Sequence, residues 1–554
     1  MSKDPQQDLT PTTVQEEMIA SGETADSGVG SEYEREPVPK KALLGFKSFI
    51  GMYAGEHCAG TELMIGPLFV VHGVSAFDLI FGLLIGNALA VLSWMFLAAP
   101  IATRSRMTLY YQLERICGRK LVTLYNLANG IMFCFLAGAM VTVSATAVCE
   151  AFNLPMPSLS DIYPTSIPWA LAVLGIGAVI AVVAAFGYNV VARFANIAAP
   201  WMVLMFLAFG IIGFGQMVQH SDATISSAGE LWNFLSNEVW PGGEPADGKV
   251  KFTLWHVMFF SWFCNMAMHI GMSDLTVLRY AKKSWYAIAS GAGMYVGHFM
   301  AWISASILFA HQLQLDPTND TPLPGPMTFK AVGYAGLLCV IIAGWTTANP
   351  TIYRAGLAFQ AVIPKSPRFL VTLITGMIAA VAGLFPAFAM KLLDFVAIYG
   401  MVLMPMGAVV FVDFWLIKRF KVRDNFALRT GRDFNWAAGL TWFITLGLCL
   451  LLVKLEVTQI FFVSLPGWFL AAAMYILFSA IQQRVMSLEG ESKETFNKVT
   501  ASVARAIGWY SLVILILFAI LPAAGLVKLD VTKSIVFAMT ILWFVFAPLI
   551  RDLK

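Results

Sequence analysis

Long apolar segments alternate with short polar connections along nearly the whole chain of 554 residues. Most are near the length of about 20 residues with which a helix crosses the hydrocarbon core of a bilayer. The pattern therefore predicts an all-α polytopic membrane protein with about 14 spans. The predicted spans are residues 46–72, 76–98, 121–149, 167–187, 194–218, 253–273, 285–311, 334–361, 369–389, 392–417, 437–454, 460–482, 503–524 and 532–550.

Two polar regions interrupt this pattern and suggest how the chain is organised. Residues 1–40 are acidic and rich in Ser, Thr, Gly and Pro, and no apolar stretch marks a signal peptide, which predicts a disordered cytoplasmic tail. A polar linker at 483–502 separates the last two spans, within 503–550, from a core of about twelve.

Composition agrees with a membrane protein and argues against several other classes. Hydrophobic residues make up 58% of the chain and charged residues 12%, about half the charged fraction of a soluble domain. The seven cysteines form no CxxC pair and lie in or beside apolar spans, as small buried side chains do. No phosphate-binding loop, metal-ligand spacing or hydrolase constellation is present, so we expect neither an enzyme nor an organic cofactor.

The placement of Lys and Arg predicts the orientation of the chain in the membrane. With the N-terminus inside, the inner connections carry about three times as many basic residues as the outer ones. The richest connections are 99–120 and 418–436. We therefore expect both termini in the cytoplasm and a multi-pass protein of the plasma membrane, which in a bacterium is the inner membrane.

The first span carries ionisable groups in its middle, where the bilayer would be deepest. Glu56, His57 and Glu62 surround Gly60. A charged group at bilayer depth costs several kcal/mol unless it faces protein or a cavity. A helix broken there must also satisfy its free backbone groups. The segment therefore predicts an interrupted helix that lines a binding cavity.

The sixth span repeats these features five spans later. Within 252–274 it carries Ser261, Asn265, His269 and Gly271 at mid-span. Transporters built from inverted repeats place their sites on two such interrupted helices. We therefore pair residues 42–218 with residues 252–417 as a 5+5 inverted repeat, followed by two more spans in 437–482.

Vicinal hydroxyls in the eighth span are the candidate ion ligands. Thr346 and Thr347 could bond only to carbonyls of their own helix, which would make them structural. They could also offer oxygen atoms to a sodium ion, whose coordination free carbonyls of the first span would complete. Residue type alone leaves both interpretations open.

The acidic residues of the first span have several competing roles. Glu56 could pair with His57 or with a basic group on another helix and serve packing alone. Alternatively, Glu56, His57 and Glu62 could hold an amino-bearing or cationic substrate, carry a coupling proton, or add charge to a sodium site. Arg354 is predicted to lie buried and either to snorkel or to pair, for which an acidic group is one candidate.

Polar and aromatic side chains of the sixth span are further candidates. Trp262 and Phe263 could stack on a planar ring, although the aromatic character of the whole span suits core packing equally well. Asn265 and His269 could hydrogen bond a ligand or could be satisfied within the protein.

Four segments, in order along the chain, resemble the nucleobase:cation symporter-1 family, typified by the cytosine permeases. The most specific is Gly344-Trp-Thr-Thr-Ala-Asn-Pro350 with the residues that follow it to 359. The others begin at Gly73, Ser273 and Met404, and the likeness covers roughly 42–485.

The resemblance implies a LeuT-like (APC-type) fold of twelve helices and a substrate site between helices 1, 3, 6 and 8. It also implies that Thr346 and Thr347 bind sodium, with main-chain groups contributed around Glu56, Ala59 and Gly60. For the substrate, the resemblance implies Asn129 and Phe133 of the third span, together with Asn349, as candidate binding residues.

This chain departs from the family pattern where the base would be bound. The positions that flank the Trp-Thr-Thr in the cytosine permeases are asparagines, whereas here they are Ala343 and Ala348. The third span has Phe133 but no tryptophan within 129–140. The acidic groups of the first span are also foreign to the family.

The function predicted from the sequence is therefore sodium-coupled symport of a nucleobase-like or other small nitrogen heterocycle. A proton-coupled symporter of an amino-bearing substrate and a non-transporting membrane sensor remain as alternatives. The expected partners are a small molecule and the lipid bilayer, with no nucleic acid polymer, and the oligomeric state stays open.

Overall fold

The computed structural model describes residues 33–158, 161–245, 249–319 and 321–488, with a few further positions between 509 and 543. Regular elements in these ranges are helical. The two C-terminal spans predicted within 503–550, and the tail up to residue 32, lie outside the described residues.

The first and sixth spans are both interrupted, as the sequence predicted. The first forms α1a, Lys47–His57, and α1b, Glu62–Val71. The sixth forms α6a, Leu254–Phe263, and a short α6b, Met266–His269, followed by non-helical chain before the single turn Leu275–Leu278.

The other helices are continuous or nearly so. Their bounds are α2, Ala76–Ser93; α3, Arg119–Ala151; α4, Ile167–Ala185; α5, Tyr188–His220; α7, Met300–Leu315; α8, Tyr334–Val362; α9, Arg368–Ala382; α10, Leu392–Trp415; α11, Trp436–Lys454; and α12, Ile460–Leu488. A π-helical turn, Trp94–Ala98, extends α2, and another, Ala292–Phe299, precedes α7.

Nine helices among the described residues are long and apolar enough to cross a membrane. Three apolar helices are shorter, namely α1b, α6a and α9. Two of these are halves of the interrupted spans, which explains their length. The predicted core of twelve spans requires that α1, α6 and α9 cross as well, and that number stays a prediction.

The helix contacts repeat with an offset of five helices, as an inverted repeat requires. α1b packs on α7, and in the same way α6a packs on α2. α1a packs on α5, and α6b packs on α10. α3 and α8 pack directly on each other, as do α4 and α9. The π-helical turns also fall in the corresponding helices α2 and α7. The predicted 5+5 arrangement is thus visible in the packing.

Residues 33–44 pack against the helices, although the sequence predicted disorder up to residue 40. The Val38 amide donates to the Arg106 carbonyl at 2.9 Å, and Val38 is fully buried. Arg35 pairs with Glu114 at 2.6 Å. This order follows from specific polar partners that the composition of the tail does not reveal.

One face of the molecule gathers connections that are distant in sequence. Leu44 bonds to Tyr280 at 2.7 Å, after the sixth span, and Glu34 pairs with Arg368 at 3.5 Å, at the start of α9. The short helices Leu109–Cys117 and Phe426–Thr430 pack together on the same face. We call it the N-terminal face. Its connections are those predicted to be cytoplasmic.

Candidate functional site

The interruption of α1 lies against α8 at the predicted sodium ligands. The Thr347 hydroxyl donates to the Glu56 carbonyl at 2.8 Å, and also approaches the Ala343 carbonyl of its own helix at 3.1 Å. The Thr346 hydroxyl donates to the Ala343 carbonyl at 3.0 Å. Thr347 therefore bridges α8 to α1, whereas Thr346 bonds within its own helix and lies 3.7 Å from the Met202 sulfur of α5.

Gly60 lets the two backbones come this close. A Cβ atom at this position would lie 2.9 Å from Val143 Cγ1, 3.3 Å from the Gly344 nitrogen and 3.4 Å from the Val340 carbonyl oxygen. Ala59 beside it is fully buried. The unwound main chain of α1 is thus held between α3 and α8, within reach of the hydroxyls. Main-chain and hydroxyl oxygens of this kind suit a hard cation such as sodium.

Glu56 is engaged by Arg354 of α8. The guanidinium donates to both carboxylate oxygens, from Nη1 at 2.5 Å and from Nη2 at 3.3 Å. Nη2 also donates to Asp274 at 2.7 Å, and Arg354 and Asp274 are completely buried. Among the roles considered for Glu56, the structure therefore shows the pairing with a basic group on a neighbouring helix.

Asp274 completes a polar network that the sequence did not single out. Besides Arg354, it accepts hydrogen bonds from the Tyr53 hydroxyl at 2.9 Å and from Trp94 Nε1 at 2.7 Å. Asp274 follows the interrupted sixth span directly, so it could have been matched with Arg354 as the opposite charge at similar depth. Nothing in the sequence pointed to Tyr53 or Trp94.

Glu62 faces α7 rather than α8. Trp302 Nε1 donates to one carboxylate oxygen, and His298 Nε2 lies 3.5 Å from the other. The rings of His298 and Trp302 stack with centroids 4.3 Å apart. Among the described residues, no lysine or arginine comes within ion-pair distance of Glu62. The carboxyl group is therefore held by indole and imidazole groups instead of a fixed cation.

His57 links the surroundings of Glu62 to those of Glu56. Its ring lies 4.7 Å from the His298 ring and 6.1 Å from the Trp94 ring, and its Nδ1 is 2.8 Å from the Tyr53 carbonyl. Cβ atoms at Gly293 or Gly297 would collide with His57, so the π-helical turn before α7 closes directly onto this ring.

The candidates of the sixth span reach the same region through Trp94. The His269 ring lies 4.5 Å from Trp94, and its Nε2 is 3.1 Å from the Trp262 carbonyl across the interruption. Trp262 stacks on Phe263 at 4.6 Å and donates from Nε1 to Ser93 at 3.0 Å. The interruptions of α1 and α6 therefore meet at the π-helical turn that extends α2.

Asn265 lies at the edge of this region. Its amide nitrogen is 3.8 Å from the sulfur of Met294, the neighbour of Gly293 in the π-helical turn against His57. Within the described residues this weak contact is the one hydrogen bond of the side-chain amide, which leaves the amide able to bond a ligand.

The structure does not bring Asn129 and Phe133 to the interruption of α1. They lie about 21 Å and about 15 Å along α3 from Val143, at 1.5 Å per residue. Asn129 bonds to the hydroxyls of Tyr110 and Tyr399, each at 3.1 Å. Phe133 packs on the Tyr399 ring at 5.1 Å. Both contact Tyr399 of α10, and Tyr110 in turn donates to the Arg354 carbonyl of α8 at 3.0 Å, so among the described residues Asn129 is linked to Arg354 only through this tyrosine.

Asn349 also points away from the interruption. In the amide orientation that satisfies both ends, its nitrogen donates to the Ile180 carbonyl of α4 at 3.1 Å and its oxygen accepts from Trp345 at 3.2 Å. Asn349 is two positions from Thr347, or about 200° around the helix. It therefore faces the opposite side of α8.

The region brought together is thus smaller than the predicted one and includes side chains that the sequence had not suggested as site residues. It contains Glu56, His57, Glu62 and His269, with Trp262, Phe263 and Asn265 at its edge. The additions are Tyr53, Trp94, Asp274, His298, Trp302 and Arg354. Among the described residues, no three His, Cys, Asp or Glu side chains are arranged to hold a metal ion.

Comparison with known proteins gives a clear result for the fold alone. No family model and no curated protein sequence matches the chain. Among solved structures, a closed, bromovinylhydantoin-bound form of Mhp1, a nucleobase-cation-symport-1 family transporter, superposes with a TM-score of 0.60 at 15% identity. The match covers 81% of this chain and 95% of that one. The chain has the LeuT-type transporter fold.

Two further structures place this result in context. The inward-facing conformation of Mhp1 has a TM-score of 0.57 at 14% identity and covers 82% of this chain and 96% of that one. A substrate-bound, outward-open Na+-coupled sialic acid symporter has a TM-score of 0.53 at 14% identity, with coverages of 79% and 89%. The predicted likeness to nucleobase:cation symporters is therefore confirmed at the level of the transporter fold.

Proposed function

We propose that the protein is a secondary active transporter that couples a sodium gradient to the symport of a small nitrogen heterocycle. The observation that carries the proposal is the bridge from the Thr347 hydroxyl to the Glu56 carbonyl at the interruption of α1. It brings a hydroxyl of α8 and free main-chain oxygens of α1 to one point, which is the donor chemistry that sodium prefers. The transport functions of the structural neighbours agree with it.

Alternating access would use sodium as a link between two helices. An ion shared by α1 and α8 stabilises only the conformations in which both contribute oxygen atoms. Its binding shifts the population towards those conformations, since a ligand shifts an equilibrium by its difference in affinity. A substrate between the interruptions of α1 and α6 would then favour closure around itself.

The charges near the site favour an amino-bearing or cationic heterocycle as a second candidate within the same scaffold. Glu56, Asp274 and Glu62 contribute three carboxyl groups, whereas in the described part of the chain the one guanidinium paired with any of them is that of Arg354, which reaches Glu56 and Asp274. A buried site with surplus negative charge binds a cation more readily than a neutral base. The heterocycles tested should therefore include both kinds.

The proposal can be tested by the thermal stability of the purified protein with purines, pyrimidines, hydantoins and amino-bearing heterocycles. We expect one class to raise the melting temperature in sodium but not in potassium. Thr346→Ala should abolish this sodium-linked stabilisation, and Thr441→Ala, which removes a buried hydroxyl of α11, should leave it unchanged. If no compound shows sodium-linked stabilisation, the sodium site is excluded.

Transport assays separate the remaining alternatives. A stabilising compound should accumulate in proteoliposomes that have an inward sodium gradient. Uptake that follows a pH gradient and ignores replacement of sodium would select proton coupling. Absence of counterflow for every binding compound would select a sensor that does not transport.

A further inference from the structure

Two connections on the N-terminal face form one exposed basic surface. The Lys120 amide donates to the Asp433 carbonyl at 3.0 Å, and the Asn435 amide donates to the Cys117 carbonyl at 2.8 Å. These bonds join the connection before α3 to the one before α11. We define the basic surface by its six exposed cationic side chains, Arg104, Arg119, Lys120, Arg419, Lys421 and Arg423.

The cations of this surface are not neutralised by neighbouring acids. Residues 418–433 carry six basic and two acidic residues, a net charge of +4. Asp424 pairs with Lys418 at 3.0 Å and with Arg429 at 2.8 Å. Burial raises the pKa of Asp424, but the Lys418 hydrogen bond and the Arg429 charge outweigh this and lower it. None of the six cations that define the surface has a carboxylate partner within the described residues.

The part of the chain that precedes the described structure has the opposite charge. Residues 1–32 contain seven acidic residues and one basic residue, a net charge of −6. They join the structure at Tyr33, whose carbonyl accepts a hydrogen bond from Arg279 at 2.6 Å. Arg35 then pairs with Glu114 on the short helix Leu109–Cys117, directly before Arg119. The acidic tail is therefore tethered beside the basic surface.

We propose that the acidic tail, residues 1–32, docks on this basic surface. With random-coil dimensions, a segment of this length spans roughly 30 Å on average. It starts beside the short helix Leu109–Cys117, which ends just before Arg119 and Lys120. Tethering gives the tail an effective concentration in the millimolar range. The contact is electrostatic and between exposed groups, so it weakens as salt is added. An anionic lipid surface is the competing occupant, because the headgroups of the surrounding bilayer adjoin this face as well.

Zero-length carbodiimide cross-linking of the purified full chain in neutral detergent tests the proposal. This reagent joins carboxylates to amines in direct contact, so mass spectrometry should find tail residues such as Glu16, Glu17 and Asp26 linked to Lys120 or Lys421. High salt should lower the yield several-fold. Links to Lys249 and Lys251, on the opposite side of the sequence-predicted topology, should be rare.

The matched variants keep Lys120 and Lys421, the two lysines at which cross-links are expected. Arg419→Gln with Arg423→Gln should lower the yield several-fold, whereas Lys282→Gln with Lys283→Gln, on the same face but outside the surface, should not. Equal melting temperatures would show that the variants are folded. The proposal would be overturned if Arg419→Gln with Arg423→Gln left the cross-linking yield unchanged. It would also be overturned if the tail of the original chain were linked to Lys282 as often as to Lys421.

A further experiment distinguishes binding of the acidic tail from binding of anionic lipid at the basic surface. The links should persist in nanodiscs that contain phosphatidylglycerol. If they disappear there, and native mass spectrometry shows that Arg419→Gln with Arg423→Gln loses bound phosphatidylglycerol, the surface binds lipid and the tail does not occupy it. Neither result depends on transport, so this test can fail while the proposed function stands.

Discussion

At the residue scale, Arg354 connects three helices through one buried positive charge. Its guanidinium reaches Glu56 at the end of α1a and Asp274 after the interrupted sixth span. A buried charge is tolerated when it is paired and hydrogen bonded, and removing one partner leaves the others uncompensated. The stability of the region near both interruptions therefore depends on this side chain.

Replacement of Arg354 should destabilise the folded protein strongly. We expect Arg354→Met to cost about 3–5 kcal/mol, because it leaves two carboxylates buried without their cation. Unfolding of the purified protein by a denaturing detergent would measure the change. A variant that also carries Glu56→Gln and Asp274→Asn should recover part of the loss, and no recovery would contradict the assignment of the cost to unpaired charge.

The Thr347 hydroxyl should be required for the effect of sodium on stability. Thr347→Val keeps the shape of the side chain but removes its oxygen, so sodium should no longer raise the melting temperature. Thr347→Ser, which keeps the oxygen, should retain most of the rise. Thr445→Val, which changes a buried threonine on α11, provides the control. A rise in Thr347→Val equal to that of the original chain would show that this hydroxyl does not bind the ion.

At the element scale, the interruptions are held by glycines on the facing helices. Gly407 of α10 faces the chain after α6b so closely that a Cβ atom would collide with the Ile270 carbonyl. Gly60 plays a similar part within α1, against α3 and α8. Small residues at helix contacts allow backbones to approach in this way. The unwound segments are therefore supported by backbone packing.

Gly407→Ala should consequently be harmful although alanine favours helix. The collision with a carbonyl oxygen should outweigh the gain in helix propensity, at a cost of about 1–3 kcal/mol. Gly447→Ala in α11, where a Cβ atom would meet nothing within 4 Å, should be neutral or stabilising by up to about 1 kcal/mol. Thermal unfolding of both variants would measure the two changes in stability. Equal changes would contradict the close packing assigned to Gly407.

The sequence predicted the interruptions of α1 and α6 because charge and glycine at mid-span are rarely compatible with an unbroken helix that faces lipid. It also placed Thr347 beside α1, through the resemblance of the eighth span to a known motif. It could not supply partners, since a pattern of residues does not say that Glu56 meets Arg354 whereas Glu62 meets Trp302. It also could not give the position of Asn129 relative to the interruption of α1, because residue type does not fix depth along a helix as long as α3.

At the scale of the whole molecule, the N-terminal face collects the connections that carry most of the basic residues. Residues 33–44 touch the connection before α3, the chain after the sixth span and the start of α9. Contact between these segments requires that they lie on one side of the membrane. The structure thus agrees with the alternation of connections inferred from charge, and the positive-inside rule predicts that this side is cytoplasmic.

The topology can be checked with reporters at both ends of the chain. Green fluorescent protein fused at either terminus should be fluorescent in a bacterial host, because it folds in the cytoplasm. Alkaline phosphatase should be active when it is inserted in the outer connection 219–252 and inactive at either terminus. A C-terminal fusion that was dark, although expressed, would show that the two segments predicted within 503–550 do not both cross the membrane.

The native cysteines lie at positions where thiol labelling can detect conformational change. Six of the seven are buried, and all are free. Cys58 lies in the interruption of α1 and Cys264 in that of α6, whereas Cys117 sits at the end of a short helix on the N-terminal face. A membrane-impermeant thiol reagent should thus find little to label in the closed protein. Opening of either interruption to water would expose the thiol there to the reagent. Mass spectrometry of the labelled protein, without any added cysteine, would then report the conformational change.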